Sequence, residues 1–224
     1  MRIIAITYYR FDKDYLDDYQ ENLSSLCDDF LLVEDSEGGF MYDEGKYRKR
    51  LIQRAKEMGA DWVVALDPDE RLEKTAGKKL RKAIGQVEEK KTMFRLNFRE
   101  LYTPNAFRVD GDWGIKWRIP IFPLRDDNIF SDQKLHTPKQ PLNTDYEIIE
   151  TDLNIYHLKH IVPALRLQRT ELYNRMDPNR EYQSIGYDYL SDETGLKLER
   201  IPFRRMYRPK YRDYQIDEGI FTIA

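Results

Sequence analysis

Asp67-Pro68-Asp69-Glu70 places three carboxylates within four residues, directly after the apolar run Trp62 to Leu66. Like charges this close repel one another, and taking them out of water beside a core strand is costly without a compensating cation. A hard divalent ion such as Mg²⁺ or Mn²⁺ supplies that compensation, binding carboxylate oxygens together with substrate phosphates. Pro68 fixes its own φ and limits how far the flanking acids can turn. The plainer alternative is a solvated turn, because Asp and Pro are ordinary turn residues. Position in the fold decides between the two, and that position is set by the elements that carry the acids.

The first half of the chain alternates between two hydrophobic periods. Ile3 to Ile6, Phe30 to Val33 and Trp62 to Leu66 are short continuous apolar runs, the pattern of strands buried on both faces. Between them, Leu16, Tyr19, Leu23 and Leu26 recur at helical spacing, as do Tyr47, Leu51, Ala55 and Met58, with Gly59 placed as a left-handed cap. Leu80, Ala83, Ile84 and Val87 mark a third helix, with Thr75 as its expected N-cap. Strand alternating with helix predicts right-handed crossovers and a parallel sheet, whose ligands bind beyond the carboxyl ends of the strands. Asp67 to Arg71 stands at such an end, and this favours the metal-binding reading over the plain turn. Thr7 to Arg10 and Glu34 to Gly39 stand at the other two.

The second half reads differently. Phe94, Leu96 and Phe98 alternate with polar residues, as in a strand exposed on one face. Ile115 to Leu124 and Glu147 to Leu158 read as further strands, the first pushed towards an edge by Pro120 and Pro123. Leu165, Leu172 and Met176 suggest a last helix after Pro163.

With the elements in place, GADWVVALDPDER resembles the acidic segment of family 2 glycosyltransferases of the GT-A fold. The resemblance extends to LLVEDSEGG, RIIAITYYR and YRKRLIQRA, in the family's order, and covers about residues 1–160. It implies a Rossmann-like αβα sandwich with a mixed, mainly parallel sheet, and a C-terminal helical and irregular extension over 161–224 packing on the same domain. It further implies an inverting transfer from a nucleotide-sugar, a UDP-sugar by expectation, to a hydroxyl acceptor of unknown kind. Donor-binding roles then fall to Thr7, Tyr9, Asp35, Arg48 and Asp67, and the metal to Asp67 and Asp69. NIYHLKH resembles the family's late strand that brings a histidine near the diphosphate. That would make His157 a third metal ligand, with a structural hydrogen-bonding role equally open. DQKLHTP resembles the segment where relatives carry His-Glu, but Thr137 stands here in place of the glutamate that would act as base. Asp132 and His136 are the candidates to replace it, with Asp112 and Glu100 behind them, and a loop-capping role suits Asp132 as well.

Two other readings share the fold. A sugar nucleotidyltransferase would carry a glycine-rich phosphate loop after its first strand, and Thr7-Tyr8-Tyr9-Arg10 has no glycine. A non-catalytic nucleotide-sugar or glycan-binding protein is the stronger rival, given the altered His-Thr. Trp113 and Trp117 are expected in the core more than against a sugar.

Composition narrows the remaining classes. Hydrophobic residues at 41% and charged residues at 34% suit a globular protein of one domain and exclude wholesale disorder. A formal charge of -3 gives no general affinity for polyanions. The stretch Arg200 to Arg212 is basic and aromatic, which keeps a nucleic-acid acceptor or a membrane surface open. Asp213, Asp217 and Glu218 follow it and weaken that reading. A single cysteine, Cys27, with no apolar run of membrane-crossing length and no signal peptide, leads to the expectation of a cytoplasmic protein.

Overall fold

The computed structural model describes residues 1–88 and 90–214. Asp217 and Glu218 therefore lie outside the described residues. The expected alternation is present: β1 (Ile3–Tyr9), α1 (Leu16–Leu23), β2 (Asp29–Glu34), α2 (Glu44–Glu57), β3 (Trp62–Val64). β4 (Glu70–Leu72) and α3 (Ala76–Ile84) follow, and then β5 (Thr92–Thr103), β6 (Ala106–Arg108) and β7 (Trp117–Pro123). The chain continues through β8 (Glu147–His157), α4 (Pro163–Met176) and β9 (Leu198–Arg200).

The sheet is mixed, running β2-β1-β3-β7-β5, with β8 on the other edge of β5 and β4 beyond it. Parallel pairing joins β1 to β2 and β3, and β5 to β8. The other pairings among the described residues are antiparallel. Two apolar layers sandwich this sheet. Tyr19 and Leu23 of α1 pack with Leu80 and Ile84 of α3 on one face, while Leu51 and Ala55 of α2 cover the other. Successive β1 residues alternate between the two layers, Ile3 and Ala5 to one and Ile4 and Ile6 to the other. That is why the strand is apolar throughout.

Several local expectations need correction. β7 is not an edge strand but runs between β3 and β5. Its register against β5 shifts between Phe94 and Leu96, which oppose Ile121 and Arg118. This bulge lets Pro120 sit inside the sheet without being asked for a ladder N–H, while its carbonyl still accepts from Ala65 N at 2.8 Å. The strand also starts later than expected, since Gly111–Ile115 is a 3-10 turn. Thr75 precedes α3 but makes no side-chain cap. Gly59 does adopt the left-handed conformation, at φ 78°.

β4 is the element that periodicity missed. Three residues cannot show a period, yet this strand pairs antiparallel with the end of β8, Glu70 opposite His157. Its other edge is covered by Asn22, whose amide accepts from Leu72 N at 2.8 Å and donates to Leu72 O at 2.9 Å.

The stretch after α4 folds back on the domain. Tyr207 is buried with Tyr15, Leu101 and Tyr156, and its hydroxyl donates to Pro104 O at 3.0 Å. Arg205 pairs with Glu73 at 2.9 Å and Arg212 with Asp18 at 3.1 Å, so part of its basic charge is spent inside the molecule. No helix among the described residues is long and apolar enough to cross a membrane.

Candidate functional site

A cavity of about 640 Å³ opens at the carboxyl ends of β1, β2 and β3. Tyr9, Asp35, Arg48, Asp67, Asp69, His136 and His157 all line it. Two expected residues do not. Thr7 is buried inside β1, its hydroxyl donating to Tyr8 O at 3.1 Å. Asp132 points outward, with its side chain 88% exposed and ion-paired to Lys49.

The acidic turn divides its three carboxylates between two tasks. Glu70 folds back, accepting from Asp67 N at 2.8 Å, and so braces the turn. The fully buried Arg71 grips the same turn from below, donating to the carbonyls of Pro68, Glu70 and Tyr15. Asp67 and Asp69 face the cavity without that bracing role, although Glu70 also lines it and pairs with Lys139 at 2.9 Å. Each already has a cation beside it: Lys139 lies 3.0 Å from Asp67, and Lys159 lies 3.4 Å from Asp69. Burial would push Asp69 up, but Lys159 and His157 together hold it well below the usual carboxylate range. It is a carboxylate at neutral pH.

Strand register brings His157 to Asp69. At the end of β8 it stands between Glu70 of β4 and Glu100 of β5. Its Nε2 is 3.2 Å from Asp69 and its Nδ1 is 2.5 Å from Glu100. Burial disfavours the imidazolium, yet the two carboxylates outweigh it and raise His157 to about 9. His160, also beside Glu100 at 3.5 Å, goes the other way, to about 3, because burial dominates there.

Two sets of groups are arranged to hold a cation. Glu100, His157 and His160 offer ligand atoms within 4.8 Å of one another. Asp69 with His157 Nε2 is the second set, and both line the cavity, as Glu100 does and His160 does not. In the second set Glu100 accepts from Nδ1–H, so that loss of the Nε2 proton would free a lone pair on the side of Asp69, the carboxylate–histidine arrangement that supports a metal ligand. The donor chemistry of Asp69 and His157 thus fits a divalent ion once His157 releases its second proton.

At the far end of the cavity, Asp35 accepts from Phe40 N at 3.1 Å, and Phe40 stacks on Tyr8 at 5.3 Å. The Arg48 guanidinium lies over the Phe40 ring, and its Nε is buried without a partner among the described residues. An unsatisfied buried donor beside an open cavity is costly unless a ligand meets it.

Several lining residues escaped the sequence reading. Glu44 opens α2, where its carboxylate accepts from Thr137 N at 3.0 Å. Asp12 and Lys139 come from irregular segments and Lys159 from the short 3-10 turn Leu158–His160, where no period marks them. Arg169, Tyr173 and Met176 form one face of α4, spaced by four and three. That stripe is polar at its start, so a search for apolar periodicity passes over it. Of the two tryptophans, Trp113 is in the core, whereas Trp117 is 44% exposed and lines the cavity.

No protein-family model matches the sequence, and no curated protein matches it. Among solved structures the chain is similar to TarS of S. aureus, at 12% identity and a TM-score of 0.45, over 83% of this chain and 44% of that one. It is also similar to TarS 1-349 of S. aureus, at 14% identity and a TM-score of 0.44, over 86% of this chain and 70% of that one. The chain therefore spans less than half the length of the first of these. A likeness of this degree decides neither a family nor an activity.

Proposed function

We propose that the chain is a glycosyltransferase that moves a sugar from a nucleotide-sugar donor, a UDP-sugar by first choice, to a hydroxyl acceptor with inversion. One observation carries the reading: a single cavity joins an aromatic and acidic end, Tyr8, Phe40 and Asp35, to an end of carboxylates, lysines and histidine around Asp69. The first end suits a nucleobase and ribose. The second suits a diphosphate, whose charge Lys139, Lys159 and Arg169 are placed to meet. Asp69 and His157 would hold a divalent ion, Mn²⁺ or Mg²⁺, with Asp67 beside them. Such an ion, when bound, adds positive charge where the diphosphate leaves.

The chain's own groups account for the rest of the transfer. Arg48 and Asp35 orient the nucleotide, which fixes the anomeric carbon relative to the acceptor. The acceptor oxygen forms a bond to that carbon as the carbon–oxygen bond to the diphosphate breaks, its electron pair leaving with the phosphate. The hydroxyl proton must go to a base. His136 lines the cavity, and burial lowers its pKa, so it is neutral and able to accept. Asp132, paired to Lys49 outside the cavity, is given no part.

Calorimetry with UDP tests this, with and without Mn²⁺. Wild-type protein should bind more tightly with the metal, and Asp69→Ala should lose that gain, about tenfold or more in affinity. Equal affinities for the two proteins under both conditions would sink the assignment.

A further inference from the structure

His136 has an unusual setting. Its φ of 55° is in the left-handed region, which costs a non-glycine residue energy unless its surroundings impose it. The loop does impose it: Thr137 N donates to Glu44 at 3.0 Å, and Gln133 Nε2 donates to Leu135 O at 2.5 Å. The imidazole is also fixed from the side. Tyr173 packs on it with ring centres 5.1 Å apart, and Nε2 lies 2.8 Å from the Tyr187 hydroxyl.

Tyr187 leads on to a buried carboxylate. Its hydroxyl donates to Asp177 Oδ2 at 2.9 Å. Asp177 is 3% exposed and also accepts from the backbone N–H groups of Glu181, Tyr182 and Gln183, at 2.7, 3.2 and 3.1 Å. Four donors keep it ionised, and an ionised carboxylate can only accept. The one phenolic proton is therefore committed to Asp177, so the oxygen of Tyr187 must accept from His136. Nε2 then carries the imidazole proton, and Nδ1 carries the lone pair. Nδ1 has no hydrogen-bond partner among the described residues.

We infer that Tyr187 and Asp177 are positioning residues that hold His136 as its Nε2–H tautomer, leaving Nδ1 to take the proton of the acceptor hydroxyl. When it does, the imidazolium that forms keeps its Nε2–H on Tyr187, and the negative charge of Asp177 stabilises it through the phenol. The logic is that of a base oriented by a third group. The arrangement replaces the carboxylate missing at Thr137, and it draws on the segment after α4. Its catalytic part rests on the transferase reading above, but its geometry does not.

Nitrogen-15 imidazole correlation spectra of the full chain at neutral pH read the tautomer directly, with His136→Gln to assign the signals. Wild-type protein should show His136 as neutral Nε2–H. Tyr187→Phe should shift it towards a mixture of tautomers while the signals of His157 and His160 stay in place, which shows that the fold is intact. A wild-type Nδ1–H tautomer, or an unchanged tautomer in Tyr187→Phe, overturns the inference. In turnover, read as UDP release from a UDP-sugar, Tyr187→Phe should lower kcat by roughly tenfold with UDP affinity unchanged. An unaltered kcat, or an equal loss in affinity, also counts against it. Should wild-type protein turn over no donor, the transferase reading fails, and the spectra still decide whether the relay exists.

Discussion

Glu100 stands between two histidines that burial disfavours alike but that shift in opposite directions. His157 has a second carboxylate, Asp69, and rises to about 9, whereas His160 has only Glu100 and falls to about 3. An unfolded histidine titrates near 6.5. A raised group stabilises the fold below that value and loses its effect as pH climbs towards 9, because the native state then holds the extra proton. A depressed group does the reverse, losing stability as pH falls from 6.5 towards 3. Metal-free protein should therefore be most stable near pH 6.5, with chemical denaturation at pH 5, 6.5 and 9 as the measurement. His157→Gln should flatten the alkaline arm and leave the acidic one. If the variant keeps a wild-type alkaline slope, another group is responsible.

At the scale of elements, the loop that carries His136 depends on how closely it approaches α2. A Cβ at Gly45 would stand 2.8 Å from Ser131 O and 2.9 Å from Gln133 O, both backbone atoms that cannot swing aside. The backbone of Glu44 and Gly45 also donates to Lys134 O and Gln133 O, at 3.0 and 3.1 Å. Gly45→Ala should cost about 1–3 kcal/mol, the usual penalty for overpacking. It should also weaken the His136–Tyr187 contact, since the loop must retreat. Denaturant unfolding gives the first effect, and the His136 imidazole signals give the second. A Gly45→Ala protein of wild-type stability would mean that the loop yields freely. Short β4 belongs at this scale as well, because its pairing with β8 is what sets Asp69 against His157.

For the whole molecule, the decisive question is whether the basic C-terminal stretch is an arm for a partner or part of the domain. Arg204 is exposed, while Arg205 donates to Glu73, a carboxylate 3% exposed that Asn154 also binds. Removing one partner of a buried charge leaves the other uncompensated. Arg205→Ala should thus destabilise by about 2–3 kcal/mol, and Arg204→Ala by no more than about 0.5 kcal/mol. Thermal unfolding of the two variants side by side makes the comparison. Equal, small shifts would return the stretch to the surface and reopen a polyanion as its partner.

Much of the frame could be read from local pattern. Continuous apolar runs mark β1 to β3 because both sheet faces are buried, and helical stripes mark α1 to α3 because one face of each is. From these alone, Asp67 and Asp69 stand at a strand end that ligands favour. What local pattern does not contain is contact between distant segments. Glu100 meets His157, and Asp69 meets it too, only through the pairing of β5, β8 and β4, where sequence separations of 57 and 88 residues collapse to hydrogen-bond distance. Tyr187 reaches His136, and links it to Asp177, only because the chain after α4 folds back towards the loop that carries His136. Asp132 stands near His136 in sequence but turns outward to Lys49, because neighbours in a loop need not share a face. Residue types and spacing thus determined where a charged ligand could bind, and tertiary packing alone decided which groups face it and which proton each one holds.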